Sequence, residues 1–248
     1  MTIDMRVTKR LRVRLVPLLV CMWTAGPCER AFAQDARHGV QEFTESGTWR
    51  VPSGVAHIMV ELWGAGAGGA SGTSAVSGGS DGPGGGGGGG GSGAYVRASL
   101  SVTEGETYVV KIGTGGSGGS RDPRGGPQSG VDGGETTFER DGKVLLAATG
   151  GRGGHAPKQH HSMGGTGGFG GPVEAAATRL VRAGNAGSAG HQGGLPESYS
   201  SFGGPGGVAV LGTVAPPGSF GGAGGPGLPS GQNEDGKRGG SGSLVITW

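Results

Sequence analysis

Short stretches of alternating apolar and polar residues predict that β-strands form much of this chain. In residues 55–63, one face carries the apolar side chains of Ala56, Ile58, Val60 and Leu62. The intervening positions fall on the opposite face, because side chains alternate along a strand. The same pattern predicts further strands over residues 43–51, 94–102, 107–112, 136–139, 143–149 and 244–248.

Turn-forming residues separate these stretches and predict how the strands pair. A Pro-Ser-Gly sequence at residues 52–54 divides the first two strands. The Glu-Gly pair at 104–105 predicts a hairpin between its flanking strands, and the Asp-Gly pair at 141–142 is a strong type I′ turn signal. Because strands stand near both ends of residues 42–248, we expect the two ends to pair in one sheet.

Glycine follows a period of three between the predicted strands. Residues 164–172 read Gly-Gly-Thr-Gly-Gly-Phe-Gly-Gly-Pro, and shorter Gly-Gly-X runs recur through the second half of the chain. Such runs disfavour an α-helix, since glycine loses much backbone entropy and packs no side chain. The extended left-handed polyproline II conformer has three residues per turn and directs its N–H and C=O groups outwards. We therefore predict a layer of glycine helices, bonded to one another, over residues 150–240.

Composition leaves two alternatives to this layer. The chain has 64 glycines and 14 prolines among 248 residues, whereas glycine averages ~7% of a protein. Collagen is disfavoured because the glycines occur in pairs and the runs break after two or three triplets. Disorder is the second alternative, since few apolar side chains are present to offset ordering entropy, but the apolar residues cluster in alternating blocks.

One stretch within the glycine-rich half breaks the pattern. Residues 173–183 follow Pro172 and stop before Gly184, as expected of a short α-helix. On such a helix the residues facing the body of the protein are Val173, Ala177, Leu180 and Val181.

The N-terminal residues 1–33 predict a signal peptide. A basic region precedes the apolar residues 15–25, which are too few to span a bilayer comfortably, and Ala31-Phe32-Ala33 fits a cleavage site. We expect export to the extracellular space or cell surface after cleavage near Ala33, with the periplasm as the alternative compartment. An uncleaved anchor is the alternative to cleavage, and a polar lead follows at residues 34–41.

Removal of residues 1–33 changes the charge and the cysteine content. Six of 20 basic and two of 18 acidic residues leave, so 20 − 6 = 14 basic and 18 − 2 = 16 acidic residues remain, a net charge of −2. Nucleic-acid binding then has no electrostatic support. Cys21 and Cys28 leave as well, which excludes disulfides and thiol chemistry from the mature chain. We expect no membrane span in the mature chain and no cofactor.

Several motifs resemble the bacterial and phage glycine-rich domain over roughly residues 42–248. They are residues 43–44 (Phe-Thr), 47–49 (Gly-Thr-Trp), 51–55 (Val-Pro-Ser-Gly-Val), 60–66 (Val-Glu-Leu-Trp-Gly-Ala-Gly), 93–96 (Gly-Ala-Tyr-Val), 112–116 (Ile-Gly-Thr-Gly-Gly), 136–138 (Thr-Thr-Phe) and 145–148 (Leu-Leu-Ala-Ala). The resemblance implies a β-sandwich with a bundle of polyglycine II helices, found at phage tail-fibre tips and in exported bacterial proteins. The signal peptide favours an exported bacterial protein over a virion part.

We therefore expect an all-β protein, an antiparallel β-sandwich of jelly-roll or TNF-like type with a packed polyglycine II layer and one short α-helix. The sandwich part covers residues 42–149, the polyglycine II layer 150–240 and a closing strand 241–248. The residues that we expect to define the structural motif are Trp49, Pro52, Gly54, Trp63, Gly64, Tyr95 and Phe138.

Candidate chemistry is weak throughout the sequence. Residues 115–119 fit the G-x-S-x-G nucleophile elbow, but no helix is predicted after them, so we interpret the match as chance. The strongest metal candidates match no zinc spacing, and we expect a solvated loop at His155, His160, His161 and His191. A group of carboxylates lacks the order of a calcium loop; it comprises Asp132, Glu135, Glu139 and Asp141. We expect no catalytic residue.

Aromatic residues divide into two groups. Those in or beside strands are expected in the core; they are Trp49, Trp63, Tyr95, Phe138 and Trp248. A second group lies in or next to glycine runs, where filling gaps is favoured over contacting a ligand; it comprises Phe169, Tyr199, Phe202 and Phe220.

The function expected from the sequence is a non-enzymatic secreted module for surface adhesion or recognition, with a glycan or protein as partner. The alternative is a structural component of an envelope, matrix or coat that binds copies of itself. An enzyme is the third hypothesis, and it requires an acid–base cluster that the sequence does not reveal.

Overall fold

The computed structural model describes residues 38–73, 84–120, 126–157, 165–172, 179–190, 203–210 and 235–248. Within these ranges the protein is all-β and contains no helix. The described strands are β1 (Val40–Phe43), β2 (Gly47–Arg50), β3 (His57–Trp63), β4 (Tyr95–Ser101), β5 (Thr107–Lys111), β6 (Thr136–Arg140), β7 (Lys143–Ala148), β8 (Arg179–Arg182) and β9 (Ser243–Thr247). The predicted signal peptide lies outside the described residues.

The strands form two antiparallel sheets. One has five strands in the order β1-β9-β3-β4-β8, and the other has four in the order β2-β5-β6-β7. Val40 of β1 lies opposite Thr247 of β9, and Thr247 lies opposite Met59 of β3. The prediction that the two ends of residues 42–248 pair in one sheet is therefore confirmed.

Apolar side chains from both sheets share one buried cluster. The five-stranded sheet contributes Ile58, Val60, Leu62, Val96, Leu244 and Ile246, and the four-stranded sheet contributes Trp49, Tyr108, Val110, Phe138 and Leu146. The predicted apolar face of β3 is confirmed for Ile58, Val60 and Leu62, which are at most 2% exposed, but Ala56 is exposed and precedes the strand. Burial of this apolar surface is the main force that holds the two sheets together.

One predicted strand and one predicted hairpin are wrong, because at both places the chain crosses from one sheet to the other. The first predicted strand, residues 43–51, divides into β1 and β2, which belong to different sheets. The Ile112 N–H donates to Ser46 Oγ at 2.9 Å near this crossing. Similarly, β4 pairs with β3 and β8, whereas β5 pairs with β2 and β6. Alternation along a strand is the same in either arrangement, so it could not distinguish them.

The turn between β6 and β7 is as predicted. Asp141 has φ of 51° and Gly142 has φ of 74°, and positive φ at both central residues is what a type I′ turn requires. The strands that flank this turn pair antiparallel, with Arg140 opposite Lys143.

The predicted α-helix over residues 173–183 is wrong for its second half. Arg179–Arg182 forms β8, with Val181 opposite Val96 on β4. Val181 also packs against the buried cluster. Helix propensity is a weak preference that tertiary contacts override, and here the edge of β4 supplies the backbone partners. Residues 173–178 lie outside the described residues.

Candidate functional site

The described residues between the strands include nine extended glycine-rich segments, which we call threads. Thread 1 covers residues 64–73, thread 2 covers 84–94, thread 3 covers 113–120, thread 4 covers 126–135, thread 5 covers 149–157, thread 6 covers 165–172, thread 7 covers 183–190, thread 8 covers 203–210 and thread 9 covers 235–242. Threads 1 and 9 adjoin β3 and β9, and thread 2 leads into β4. The sheets therefore anchor one end of the threads.

Hydrogen bonds join the threads with a repeat of three residues. In thread 1 the N–H groups of Ala65, Gly68 and Ser71 donate to thread 4. Those of Gly66 and Gly69 donate to thread 9. Thread 2 accepts from every third N–H group, those of Gly64, Ala67, Ala70 and Thr73. Successive residues thus bond to three different neighbours in rotation.

The spacing between threads leaves no room for side chains at many glycines. A Cβ on Gly68 would lie 2.0 Å from the Ser117 carbonyl oxygen, and one on Gly88 would lie 1.9 Å from that of Thr166. These contacts are to backbone atoms, which cannot move aside as the end of a flexible side chain can. Glycine is therefore required by packing between the threads.

The bundle of threads has two distinct ends. At the sheet end, the Gly64 N–H donates to the Ala94 oxygen at 2.9 Å, and both residues adjoin strands. At the opposite, distal end, the Thr73 N–H donates to the Gly85 oxygen at 3.0 Å. Hydrogen bonds place these further residues at or next to the distal end: Gly119, Gln128, His155, Gly165, Gly190, Gly204 and Gly236.

The distal end is the candidate functional site, because the chain repeatedly returns to it. Residues 73 and 84, 120 and 126, 157 and 165, and 190 and 203 are pairs of described residues that border this end. The stretches between these pairs hold diverse polar and aromatic residues: Asp81, Arg121, Arg124, Lys158, His160, His161, His191, Glu197 and Tyr199. The described residues on either side of each stretch lie at the distal end.

Polar side chains tie threads together at the distal end and midway along the bundle. The Ser71 hydroxyl accepts the Gln128 N–H at 2.9 Å and lies 3.5 Å from the Ser120 oxygen, so it links threads 1, 3 and 4. Asp132 of thread 4 accepts the Gly153 N–H at 2.8 Å and pairs with Arg152 of thread 5. Burial alone would raise the pKa of Asp132, but these two contacts outweigh it and hold the pKa below its ordinary value.

The sheet end contains a buried polar group that sequence reasoning missed. Glu61 is 2% exposed and accepts a hydrogen bond from the Tyr95 hydroxyl. Burial, and then this bond, raise the pKa of Tyr95 far above its ordinary value. The Trp63 ring lies 5.1 Å from the Tyr95 ring and donates from Nε1 to the Val210 oxygen at 2.8 Å. Alternation put Glu61 and Trp63 on one face, but only the register of β3 against β4 brings Tyr95 to them.

The other predicted motif residues occupy structural positions. Trp49 is 5% exposed, and Phe138 stacks on Tyr108 with ring centroids 4.7 Å apart. Gly54 has φ of 78° in the turn after Pro52. A Cβ on Gly64 would lie 2.0 Å from the Thr149 oxygen.

The described residues offer little catalytic or metal-binding geometry. Ser117, within the G-x-S-x-G match, is exposed in thread 3, and its carbonyl oxygen accepts the Val131 N–H, so no strand–turn–helix surrounds it. His155 is exposed, while His160, His161 and His191 lie outside the described residues. Across the described ranges, no three His, Cys, Asp or Glu side chains come together as metal ligands. Asp132 and Glu139 instead pair with Arg152 and Lys111.

The gap-filling interpretation of Phe169 is wrong, since its side chain is 73% exposed. Thread 6 packs against its neighbours through Gly165, Gly168 and Gly171, whose N–H groups donate to thread 2. Phe169 therefore takes the X position that faces away from thread 2. Tyr199, Phe202 and Phe220 lie outside the described residues.

The described sheets and glycine threads, apart from the first residue of β1, lie within the part of the chain that a family model matches. The family model described as glycine-rich domain matches residues 41–248. The chain belongs to the glycine-rich domain family. No curated protein is significantly similar to it. In the described part of this glycine-rich domain, no helix has the length and apolarity needed to cross a membrane.

Proposed function

We propose that this glycine-rich domain is a non-enzymatic exported module that mediates adhesion or recognition at a surface. The observation that carries the proposal is that the two ends of the bundle differ. Sheets anchor one end, and pairs of described residues at the other end border stretches rich in polar residues. The partner is a glycan or a protein on the contacted surface.

The bundle suits display because its threads are polyglycine II helices attached to a β-sandwich of jelly-roll or TNF-like type. The three-residue hydrogen-bond repeat supports the first assignment. The buried cluster shared by both sheets supports the second. Thread 1 alone bonds to threads 2, 3, 4, 5 and 9, so the bundle resists bending and holds its distal end away from the sheets.

Export follows from the sequence of residues 1–33, with cleavage near Ala33 and delivery of a bacterial protein to the cell surface or the medium. The mature chain has a net charge of −2, which disfavours nucleic acid as a partner. Neither a cofactor nor a membrane span is part of the proposal.

Binding by loop-replaced variants tests the proposal. The protein beginning at Gln34 is applied to bacterial cells and glycan arrays. Replacing residues 191–202 with a Gly-Ser sequence of equal length is expected to reduce binding at least about tenfold, the effect of losing one good contact residue. The control replaces Val109 and Val144, exposed on the four-stranded sheet, with serine and is expected to bind as the parent does. Equal loss in both variants, or no binding by the parent, contradicts the proposal.

Self-association in an envelope, matrix or coat is the second candidate function. Strand β1 is an edge of its sheet and exposes Val40 at 64%, and an edge strand offers unpaired backbone groups to another chain. Sedimentation that depends on protein concentration, abolished by Val40→Lys, supports this candidate. A monomer at all concentrations excludes it.

A further inference from the structure

Threads 4, 5 and 6 form one layer of the bundle, and threads 1 and 2 lie behind it. Thread 5 bonds to thread 4 on one side, where the Gly130 N–H donates to the Gly154 oxygen, and to thread 6 on the other, where the Arg152 N–H donates to the Phe169 oxygen. Thread 1 bonds to threads 4 and 5, and thread 2 bonds to threads 5 and 6. The layer therefore has one side against threads 1 and 2 and an opposite side that faces away from them.

Every third residue of thread 5 projects from the side that faces away from threads 1 and 2. Three residues per turn direct the side chains of an extended thread in three directions. A Cβ on Gly154 would meet thread 2, and a Cβ on Gly153 would meet thread 4. The third direction belongs to Arg152 and His155, and both residues are exposed.

Threads 4 and 6 follow the same rule. A Cβ on Gly133 would meet thread 1, and a Cβ on Gly134 would meet thread 3. In thread 6, a Cβ on Gly168 would meet thread 5, and a Cβ on Gly170 would meet thread 7. The third direction of each thread therefore points outwards from the layer. Six exposed residues in this direction make up what we call the lateral face: Ser129, Asp132, Arg152, His155, Thr166 and Phe169.

An aromatic ring, a guanidinium and a carboxylate form one row across the lateral face. The Arg152 N–H donates to the Phe169 oxygen at 2.8 Å, and Asp132 accepts the Gly153 N–H at 2.8 Å and pairs with the Arg152 side chain. Phe169 is 73% exposed, and the side chains of Arg152 and Asp132 are 60% and 47% exposed. Because a guanidinium has five N–H donors and a carboxylate accepts at two oxygens, this pair keeps donors and acceptors for a ligand beside the ring.

Two hydroxyl groups and an imidazole form a second row. The His155 N–H donates to the Thr166 oxygen at 2.9 Å, and the Ala156 N–H donates to Ser129 Oγ at 3.1 Å. The hydroxyl and imidazole groups can each donate or accept a hydrogen bond. The two rows lie three residues apart along each thread, which is about 9 Å in the polyproline II conformation.

We propose that the lateral face binds a neutral glycan, with Phe169 stacked on one sugar ring. A pyranose ring presents C–H groups on its face and hydroxyl groups around its rim. An exposed aromatic ring with donors and acceptors at its side matches both features. The threads already hold these side chains in fixed rows, so binding loses little conformational freedom.

The charge and the size of the lateral face define the ligand class. The charges of Arg152 and Asp132 cancel, and Glu135, exposed one repeat nearer the sheets, adds a negative charge. A phosphate or a carboxylate therefore gains no net attraction here. Six side chains are also far fewer than the roughly 20–30 residues that each partner contributes to a standard protein interface. A short stretch of uncharged polysaccharide fits the face better than a folded protein.

Titration with neutral hexasaccharides tests the proposal. Cellohexaose, chitohexaose and maltohexaose are added separately to the chain beginning at Gln34, and amide signals are followed by NMR. We expect at least one of them to shift the amides of Arg152, His155 and Phe169 saturably, and hexagalacturonate, which is acidic, to bind more weakly. Absence of a saturable shift with all three, shifts confined to other residues, or tighter binding of hexagalacturonate overturns the proposal.

Matched variants provide a second readout. Phe169→Ala is expected to weaken hexasaccharide binding about tenfold, the effect of losing one good contact residue, without lowering the melting temperature, because the ring is exposed. Val208→Ala shortens another exposed apolar side chain, on thread 8, and is expected to bind as the parent does. Equal weakening in the two variants, or none in Phe169→Ala, contradicts the proposal.

The lateral face is separate from the distal stretches, so this inference does not rest on the proposed function. The variant in which residues 191–202 are replaced by a Gly-Ser sequence is expected to bind the hexasaccharide as the parent does. Loss of hexasaccharide binding in that variant, with Phe169→Ala unaffected, would assign the glycan to the distal stretches. That result would overturn the lateral site and leave the proposed function standing.

Discussion

The sheets and the threads of this protein achieve cohesion by different means. In the sheets, side chains such as Leu62, Phe138 and Ile246 are 0% exposed and form the buried cluster. In threads 1 and 2, the backbone itself is buried, and most residues bond to neighbouring backbones. The difference determines which substitutions each region tolerates. A sheet tolerates a buried side chain of different shape at some cost in stability. A thread requires glycine wherever another backbone approaches it closely.

Removing a large side chain from the sheets is expected to have the largest effect. Phe138→Ala deletes a ring stacked on Tyr108 and should lower the free energy of unfolding by about 3–5 kcal/mol. Urea denaturation followed by tryptophan fluorescence measures the change. Val144→Ala, at a position 49% exposed, is the control and should stay within about 0.5 kcal/mol. Similar effects from both would show that the cluster does not hold the sheets.

Adding one methyl group to an interior thread is expected to have the next largest effect. A Cβ at Gly68 lies 2.0 Å from the Ser117 oxygen, so Gly68→Ala should cost about 3 kcal/mol through forced separation of the threads. The control is Gly47→Ala in β2, where the nearest atom, of Phe43, is 3.6 Å away. If calorimetry gives the two variants equal melting temperatures, close thread packing is contradicted.

Sequence reasoning located most strands but only some of their partners. Alternation marked β3 and β4 because each has one apolar face directed at the other sheet. The same alternation could not tell that β4 and β5 belong to different sheets, since that depends on where the chain crosses. In β8, the residues around Leu180 and Val181 fit both a helical face and a strand, and the free edge of β4 decided between them.

The candidate site, like the sheets, was predictable from the sequence only in part. The three-residue period of glycine pointed to bonded threads, and it is visible in the sequence because a Cβ is excluded at two positions in three. The distal end itself was not predictable, since it depends on which thread ends lie together. The pairing of Glu61 with Tyr95 depends on strand register, on which the spacing of residues carries no information.

Removing the Tyr95 hydroxyl is expected to cost more stability than removing the Tyr108 hydroxyl, because only the Tyr95 hydroxyl bonds to a buried carboxylate. Tyr95→Phe removes the donor to the buried Glu61 carboxylate and should cost about 1–3 kcal/mol. Tyr108→Phe removes a 2.8 Å bond to Glu106, which is more accessible to water, and should cost about 0.5–1.5 kcal/mol. Urea denaturation of both variants checks the order, and the reverse order would contradict the burial of Glu61.

The smallest expected effect is a dependence on pH in the four-stranded sheet. The hydrogen bond from Lys111, then that from Thr137, lower the pKa of Glu139 below its ordinary 4.5. This contribution to stability is present above pH 4.5 and is lost as the pH falls through the folded-state pKa. Glu139→Gln should therefore be less stable than the parent at pH 7, and the difference should shrink below pH 4.5. A difference that is constant with pH would contradict the assignment.

Amide hydrogen exchange resolved by NMR tests the backbone cohesion of the threads most directly. The amides of Gly66, Ala67 and Gly68 donate to three different threads, and Val60 and Leu62 in β3 provide the reference for a buried strand. We expect the thread amides to exchange as slowly as those of β3. Exchange of the three thread amides at rates of an unfolded peptide, with β3 still protected, would contradict the account.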